Sequence, residues 1–191
     1  RNHLPFGPDI AENLGYLAAW QRVFSGDSFD FDYHLCAAVT YDPGQMTLSR
    51  VLHGDVRALS GLGLHGLINC QQQRVTMPNG FALFLGGQTL CDPSLDYERA
   101  RDAYFECAFG PEYGAALCFC QTLSRLFPMD LYGKDHPEPS EQAARELESL
   151  RAYLERVELP TPQDLCPAQA RSWKNLHFWR AFMLRLCDYL I

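Results

Sequence analysis

The sequence is poor in positive charge. Lysine and arginine together number 16, against 23 aspartates and glutamates, so the 191 residues carry a formal charge of -7. The basic residues form no block and no stripe that would override this balance. Because non-specific nucleic-acid binding depends on the neutralisation of phosphates by lysine and arginine, the charge argues against a nucleic-acid partner.

Long hydrophobic runs are absent as well. A transmembrane helix needs about 20 consecutive apolar residues, and no run in the sequence approaches that length. We therefore predict no membrane partner. Hydrophobic residues nevertheless make up 47% of the chain and charged residues 20%, a balance typical of a globular protein that buries a sizeable core.

The eight cysteines lack the spacing of a metal site. No CxxC pair occurs, and no histidine lies at zinc-finger spacing from the one close pair, Cys118 and Cys120. The stretch GLGLHG has too few glycines in register for a dinucleotide fingerprint. We predict no metal, no cofactor and mostly structural thiols. Free thiols slightly favour the cytoplasm but leave the localisation unknown.

Two segments within the first 75 residues have the pattern of a strand. Residues 28–40 alternate polar and apolar side chains, and residues 63–70, GLHGLINC, are short, apolar and flanked by glycine. The amphipathic helix between them, from Leu48 to Leu59, is long enough for a crossover, so the strands are predicted to be parallel. Because two parallel strands leave their edges and one face open, we expect further strands in a preceding segment.

From residue 79 onward the apolar period changes to about 3.6 residues and predicts five helices, with prolines at the joints. We therefore divide the chain into an α/β segment, residues 1–85, and an all-α helical domain, residues 86–191. The chain has no initiator methionine, and the helical pattern continues to Ile191. Both features favour a fragment of a longer polypeptide that is mostly helical overall.

The polar face of the first strand is a candidate site, formed by Asp30, Asp32 and His34. In a (β/α) barrel these side chains would point into the lumen, with His34 nearest the mouth at which barrel enzymes place their chemistry. The side chains between them would pack on the helices, and these are Phe31, Tyr33 and Leu35. Alternatively, the carboxylates are hydrogen-bonded structural groups.

Polar amides follow the second strand directly. Asn69 and Gln71 lie at the same carboxyl end of the predicted sheet as the first strand's polar residues. Amide side chains both donate and accept hydrogen bonds, which suits a ligand rich in hydroxyl groups. A solvated loop is the alternative interpretation of these amides.

Three stretches in this order resemble a bacterial domain-of-unknown-function family of glycoside hydrolase-like proteins: LAAWQRVFSGDSFDFDYHL, LSGLGLHGLINC and LGGQTLCDPSLDYERARDAYFECAFGPEYGAA. The resemblance covers roughly residues 10–125. Its marker residues are Asp32-Tyr33, Gly63, Gly66, Asp92-Pro93, Asp96, Phe105, Tyr113-Gly114 and Ala115-Ala116. Two positions depart from the family: Cys91 stands where it often has tryptophan, and Gln71 where an acidic residue is expected.

The resemblance implies that the chain is the last two strand–helix units of a TIM-like barrel followed by a helical domain, similar to the tails of hexosaminidase-like and α-glucuronidase-like enzymes. It also implies that the acid/base carboxylates lie on earlier strands, so the chain alone would be inactive and its catalytic residues are unknown. A carbohydrate would bind at Asp32, Tyr33, His34, Asn69 and Gln71. The expected partners are the preceding barrel segment and, through an exposed sheet edge, a second copy.

A function of another class is the alternative. The chain would then be a non-catalytic helical interaction module or carbohydrate-binding module. Its binding surface would be the aromatic residues of the last helix, namely Trp173, His177, Phe178, Trp179 and Phe182. Such residues at helical spacing also occur as ordinary helix core.

Overall fold

The structure is a computed structural model that describes residues 10–36, 41–70, 76–128, 131 and 140–191. It is mostly helical with one small sheet. In chain order the elements are α1 (Ile10–Gln21), β1 (Asp30–Asp32), α2 (Met46–Ala58), β2 (Leu67–Asn69), α3 (Phe81–Cys91), α4 (Tyr97–Phe109), α5 (Tyr113–Leu126), α6 (Glu141–Arg156) and α7 (Pro167–Leu190). The helix predicted between the strands and the five helices predicted after residue 79 are all confirmed, as α2 to α7. None of the described helices combines the length and apolar character that a membrane crossing requires.

The two predicted strands are present, parallel and joined by α2. In the described part of the chain they form a two-stranded sheet, in which Asp30 pairs with Leu67 and Asp32 with Asn69. Each strand is only three residues long, shorter than its pattern predicts. β1 ends because a carboxylate oxygen of Asp32 accepts the backbone N–H groups of Tyr33 and His34, which turns the chain away from the ladder.

Helix α2 covers one face of this sheet. Its residues Leu48, Leu52 and Val56 form a small buried core with Leu35 and Ala82, and Leu67 of β2 packs against it. A fully buried leucine contributes about 1.5 to 3 kcal/mol relative to an exposed one, so this core holds the sheet on α2.

The other face of the sheet is open. Phe31 and Ile68 pair in register, so their side chains leave the sheet on the same side, where they are 52% and 48% exposed. Tyr33, 45% exposed, contacts Phe31 edge-on at a centroid distance of 5.4 Å. We call Phe31, Tyr33 and Ile68 the open face.

The open face corrects the predicted orientation of the first strand. Asp32 and His34 were expected to point away from the helices, and Phe31 and Tyr33 towards them. The structure has the reverse: Asp32 and His34 are buried on the side of α2, while Phe31 and Tyr33 are exposed. Only Leu35 packs on α2 as the pattern predicts.

The larger core belongs to the helices α3 to α7. Phe105 stacks on Phe109, and Phe109 contacts Trp173 of α7 edge-on at 5.3 Å between ring centroids. α6 begins at Ser140, whose hydroxyl accepts the backbone N–H of Ala143, and buries one apolar side made of Ala143, Leu147, Leu150 and Leu154. The division predicted after residue 85 falls inside α3, which contributes to both cores.

Helix α1 stands apart from both cores. None of its twelve residues, all of which the structure describes, is buried. Ile10, Leu14 and Trp20 are exposed apolar side chains. The helix is held by a hydrogen bond from the Gln21 amide to the carbonyl of Leu62 at 2.7 Å. Among the described residues α1 therefore gains little of the buried packing that usually stabilises an amphipathic helix.

Candidate functional site

A buried histidine joins the end of β1 to α2. The Nδ1 atom of His34 lies 2.8 Å from a carboxylate oxygen of Asp32, and its Nε2 atom lies 2.9 Å from Oδ2 of Asp55. Asp32 is itself buried and accepts the backbone N–H of His34 at 3.0 Å. Because a carboxylate oxygen lies within 2.9 Å of each ring nitrogen, neither nitrogen is open to a ligand, and the imidazole bridges the sheet and the helix.

The charge state of His34 follows from its two neighbours. Burial lowers the pKa of His34, but the hydrogen bonds and charges of Asp32 and Asp55 outweigh burial and hold the pKa above its ordinary value. A raised folded-state pKa contributes stability that is fully present below about pH 6.5 and is lost as the pH rises through the folded pKa. The bridge is therefore strongest when the imidazole is protonated.

We expect His34→Gln to lower the free energy of unfolding by about 2 kcal/mol at about pH 6 and by less at about pH 9. Urea unfolding at both pH values measures the two costs. A cost that is equal at both pH values would contradict a protonated bridge.

His53→Gln is the matched control for this experiment. His53 is also buried, with its Nδ1 2.9 Å from the hydroxyl of Thr89. Burial, followed by the charges of Arg57 and Arg50, lowers the pKa of His53. Its neutral form therefore contributes stability above about pH 6.5 that is lost on acidification, so the cost of His53→Gln should grow with pH.

The predicted site residues separate into two groups. Asp32, His34 and Asn69 lie together on the α2 side of the strand ends, where the Asn69 amide oxygen accepts the backbone N–H of Leu35 at 3.3 Å. Tyr33 lies on the open face. Gln71 lies outside the described residues. The structure thus brings three of the five together and places the fourth on the opposite side of the sheet.

Asp55 is a member of the cluster that sequence reasoning missed. It lies on the same side of α2 as the apolar residues Leu48, Leu52 and Leu59, because these four positions are spaced three to four residues apart. An acidic side chain within such a stripe is the signal that could have identified it, because a buried carboxylate needs a partner.

The thiols at the strand ends do not complete a metal site. Cys36, just after β1, shares a hydrogen bond with the thiol of Cys70, just after β2; burial first and then this neighbour raise the pKa of Cys36. The backbone N–H of Cys70 donates to the carbonyl of Asp32 at 2.8 Å. In the ranges that the structure describes, no group of three or more histidine, cysteine or acidic side chains could hold a metal ion.

No family model matches the chain, and no curated protein and no solved structure is significantly similar to it. The function of the chain therefore has to be inferred from the geometry of its own residues.

Proposed function

We propose that this chain is the C-terminal part of a glycoside hydrolase. In this proposal β1, α2, β2 and α3 are the last two strand–helix units of a (β/α) barrel, and the remaining helices form an appended domain. The observation that carries the proposal is the open face: a parallel strand–helix–strand unit has one side covered by α2 and the other side apolar and exposed. Parallel sheets are normally covered on both faces.

A barrel would explain the exposed side chains. The lumen of a (β/α) barrel is packed by layers of side chains from its strands, and further strands would pair with the outer edges of β1 and β2. Phe31 and Ile68 are suited to such a layer because both are apolar and lie at the same level of the sheet. The exposed apolar residues of α1, such as Leu14 and Trp20, would pack within the outer ring of helices.

The reversed orientation of β1 changes the roles that we assign. Tyr33, on the open face just beyond the carboxyl end of β1, is the described residue that would face the mouth of the barrel. Its ring can lie against the apolar side of a sugar while its hydroxyl binds a sugar hydroxyl. Asp32, His34 and Asn69 would act as positioning residues that fix the strand ends on α2.

Tyr33→Ala is the substitution that tests this proposal. We expect it to weaken the binding of a monosaccharide to the chain at least about fivefold, because stacking and one hydrogen bond together contribute about 1 to 3 kcal/mol. The measurement is an NMR titration of the chain with a panel of neutral monosaccharides. Glycosidase activity is measured on the gene product isolated from its source cells, and the chain alone is expected to be inactive.

Tyr189→Ala is the matched control, since Tyr189 is 85% exposed and lies on α7. It should leave the sugar affinity unchanged. Failure of every sugar to bind, or an equal loss of affinity in both variants, would refute a sugar site at Tyr33. Association of two copies through the exposed sheet edge stays a prediction for the oligomeric state.

One observation supports the alternative function, a non-catalytic binding module. Phe178 and Phe182 are exposed and lie four residues apart on α7, so they form a small aromatic surface. The two tryptophans of that helix are instead used inside the protein. The indole N–H of Trp173 donates to the carbonyl of Phe109 and that of Trp179 to the carbonyl of Pro43.

A further inference from the structure

A second candidate site lies away from the sheet, in a cleft between α2, α4 and α5. Its volume is about 510 Å³, within the range of about 300 to 1,000 Å³ that is usual for small-molecule sites. Three of the side chains that line it are arginines: Arg50, Arg101 and Arg125. Thr47, in the first turn of α2, and Gln121 add neutral polar groups.

The cleft keeps an excess of positive charge in an acidic protein. Glu98 binds both Arg50, at 2.6 Å, and Arg101, while Asp102 lies 2.7 Å from Arg101. No carboxylate in the described part of the chain lies within ion-pair distance of Arg125. Three guanidinium groups against two carboxylates leave one positive charge. The N-terminal end of α2 adds none, because the buried carboxylate of Asp42 already caps it.

One arginine of the cleft, Arg50, is held in place before any ligand arrives. The guanidinium of Arg50 lies 4.1 Å from the centroid of the Tyr97 ring, and Glu98 binds it from the side. The Tyr97 hydroxyl is in turn fixed at 2.9 Å from the hydroxyl of Ser49. A fixed binding group loses less conformational entropy on binding, which favours a ligand at this cleft.

From this geometry we infer that the cleft binds a small hydroxylated carboxylate, such as a sugar acid. Guanidinium groups match the planar, two-oxygen shape of a carboxylate, and a single excess positive charge suits a monoanion. Arg125 and the uncommitted N–H groups of Arg50 would bind the carboxylate, while Thr47 and Gln121 would bind hydroxyl groups. The inference uses no residue of the open face and is independent of the proposed function.

Isothermal titration calorimetry of the whole chain tests the site, with D-glucuronate, D-glucose and inorganic phosphate as probes. We expect saturable binding of D-glucuronate and none of D-glucose, which differs by lacking the carboxylate. Arg125→Gln should weaken D-glucuronate binding at least about tenfold, because it removes the hydrogen bonds between a charged guanidinium and the charged carboxylate. Its melting temperature should be unchanged, since Arg125 is exposed.

Arg145→Gln is the matched control, because Arg145 is an exposed arginine on α6, distant in sequence from the cleft. It should bind D-glucuronate as the unchanged chain does. Three results would overturn the inference: no saturable binding of D-glucuronate, equal affinity in Arg125→Gln, or tighter binding of phosphate than of D-glucuronate. The last would identify the cleft as a phosphate site instead.

Discussion

Replacing Gly44 by alanine is expected to destabilise the protein by about 3 kcal/mol or more. A Cβ atom on Gly44 would overlap the carbonyl oxygen of Cys120 and would lie 2.8 Å from the backbone nitrogen of Ser124. Both are backbone atoms of α5, so no side-chain rotation can relieve the contact. The turn before α2 would have to move away from α5.

That movement would break more than one contact. The carbonyl of Gly44 accepts the Asn79 amide at 3.3 Å, and the carbonyl of Pro43 accepts the Trp179 indole N–H at 2.9 Å. The turn of residues 42–45 therefore connects α2 and α5 to the start of α3 and to α7. Losing its position should loosen the sheet unit from the helical core.

Urea unfolding measures the effect, with Gly87→Ala as the matched control. Gly87 is exposed inside α3, and a Cβ atom there meets nothing within 4 Å. Alanine is the better helix former by about 0.5 to 1 kcal/mol, so the control should be slightly more stable than the unchanged protein. A Gly44→Ala variant as stable as the unchanged protein would show that α5 does not pack this closely on the turn.

Asp42→Ala is the second substitution with a large expected effect, also about 3 kcal/mol. The buried carboxylate accepts the backbone N–H of Leu48 at 2.7 Å, that of Gln45 at 3.0 Å and the hydroxyl of Ser124 at 2.5 Å. It thus caps α2 and ties that helix to α5. Alanine would leave these donors buried without their acceptor, which costs more than the net value of the hydrogen bonds.

Asp96→Ala separates this effect from ordinary helix capping. Asp96 caps α4 by accepting the backbone N–H of Arg99 at 2.8 Å, but it is exposed, so water can replace it. We expect a cost of about 1 kcal/mol for this control. Thermal and urea unfolding measure the loss of unfolding free energy in both variants. Equal losses would mean that Asp42 acts only as a helix cap.

The helices and strands could be predicted from the sequence because the apolar residues of each recur with the period of that element. α6 is an example: its buried leucines recur every three to four residues, Ser140 caps it, and its charges lie on the solvent side. The parallel arrangement of β1 and β2 was equally predictable, because a helix-length connection rules out a hairpin. These properties depend on residues close together in the chain.

The direction in which β1 faces could not be predicted in this way. An alternating pattern shows that the two sides of a strand differ, and burial of the apolar side is the usual outcome. Here α2 supplies Asp55 as a partner for His34, so the polar side is buried and Phe31 remains exposed. The position of a partner 21 residues away decides the orientation.

The sequence by itself therefore determined the helices, the two strands and their parallel order, since local periods and the length of the connection specify them. Only the tertiary structure decided the rest. It connected the turn of residues 42–45 to α5 and α7 through hydrogen bonds of Ser124 and Trp179, which lie 82 and 136 residues from their partners in the turn. It likewise gathered the arginines of the cleft from three helices. Contacts between residues so far apart in the sequence form when the helices pack together, and no local pattern predicts which helix surfaces will be in contact.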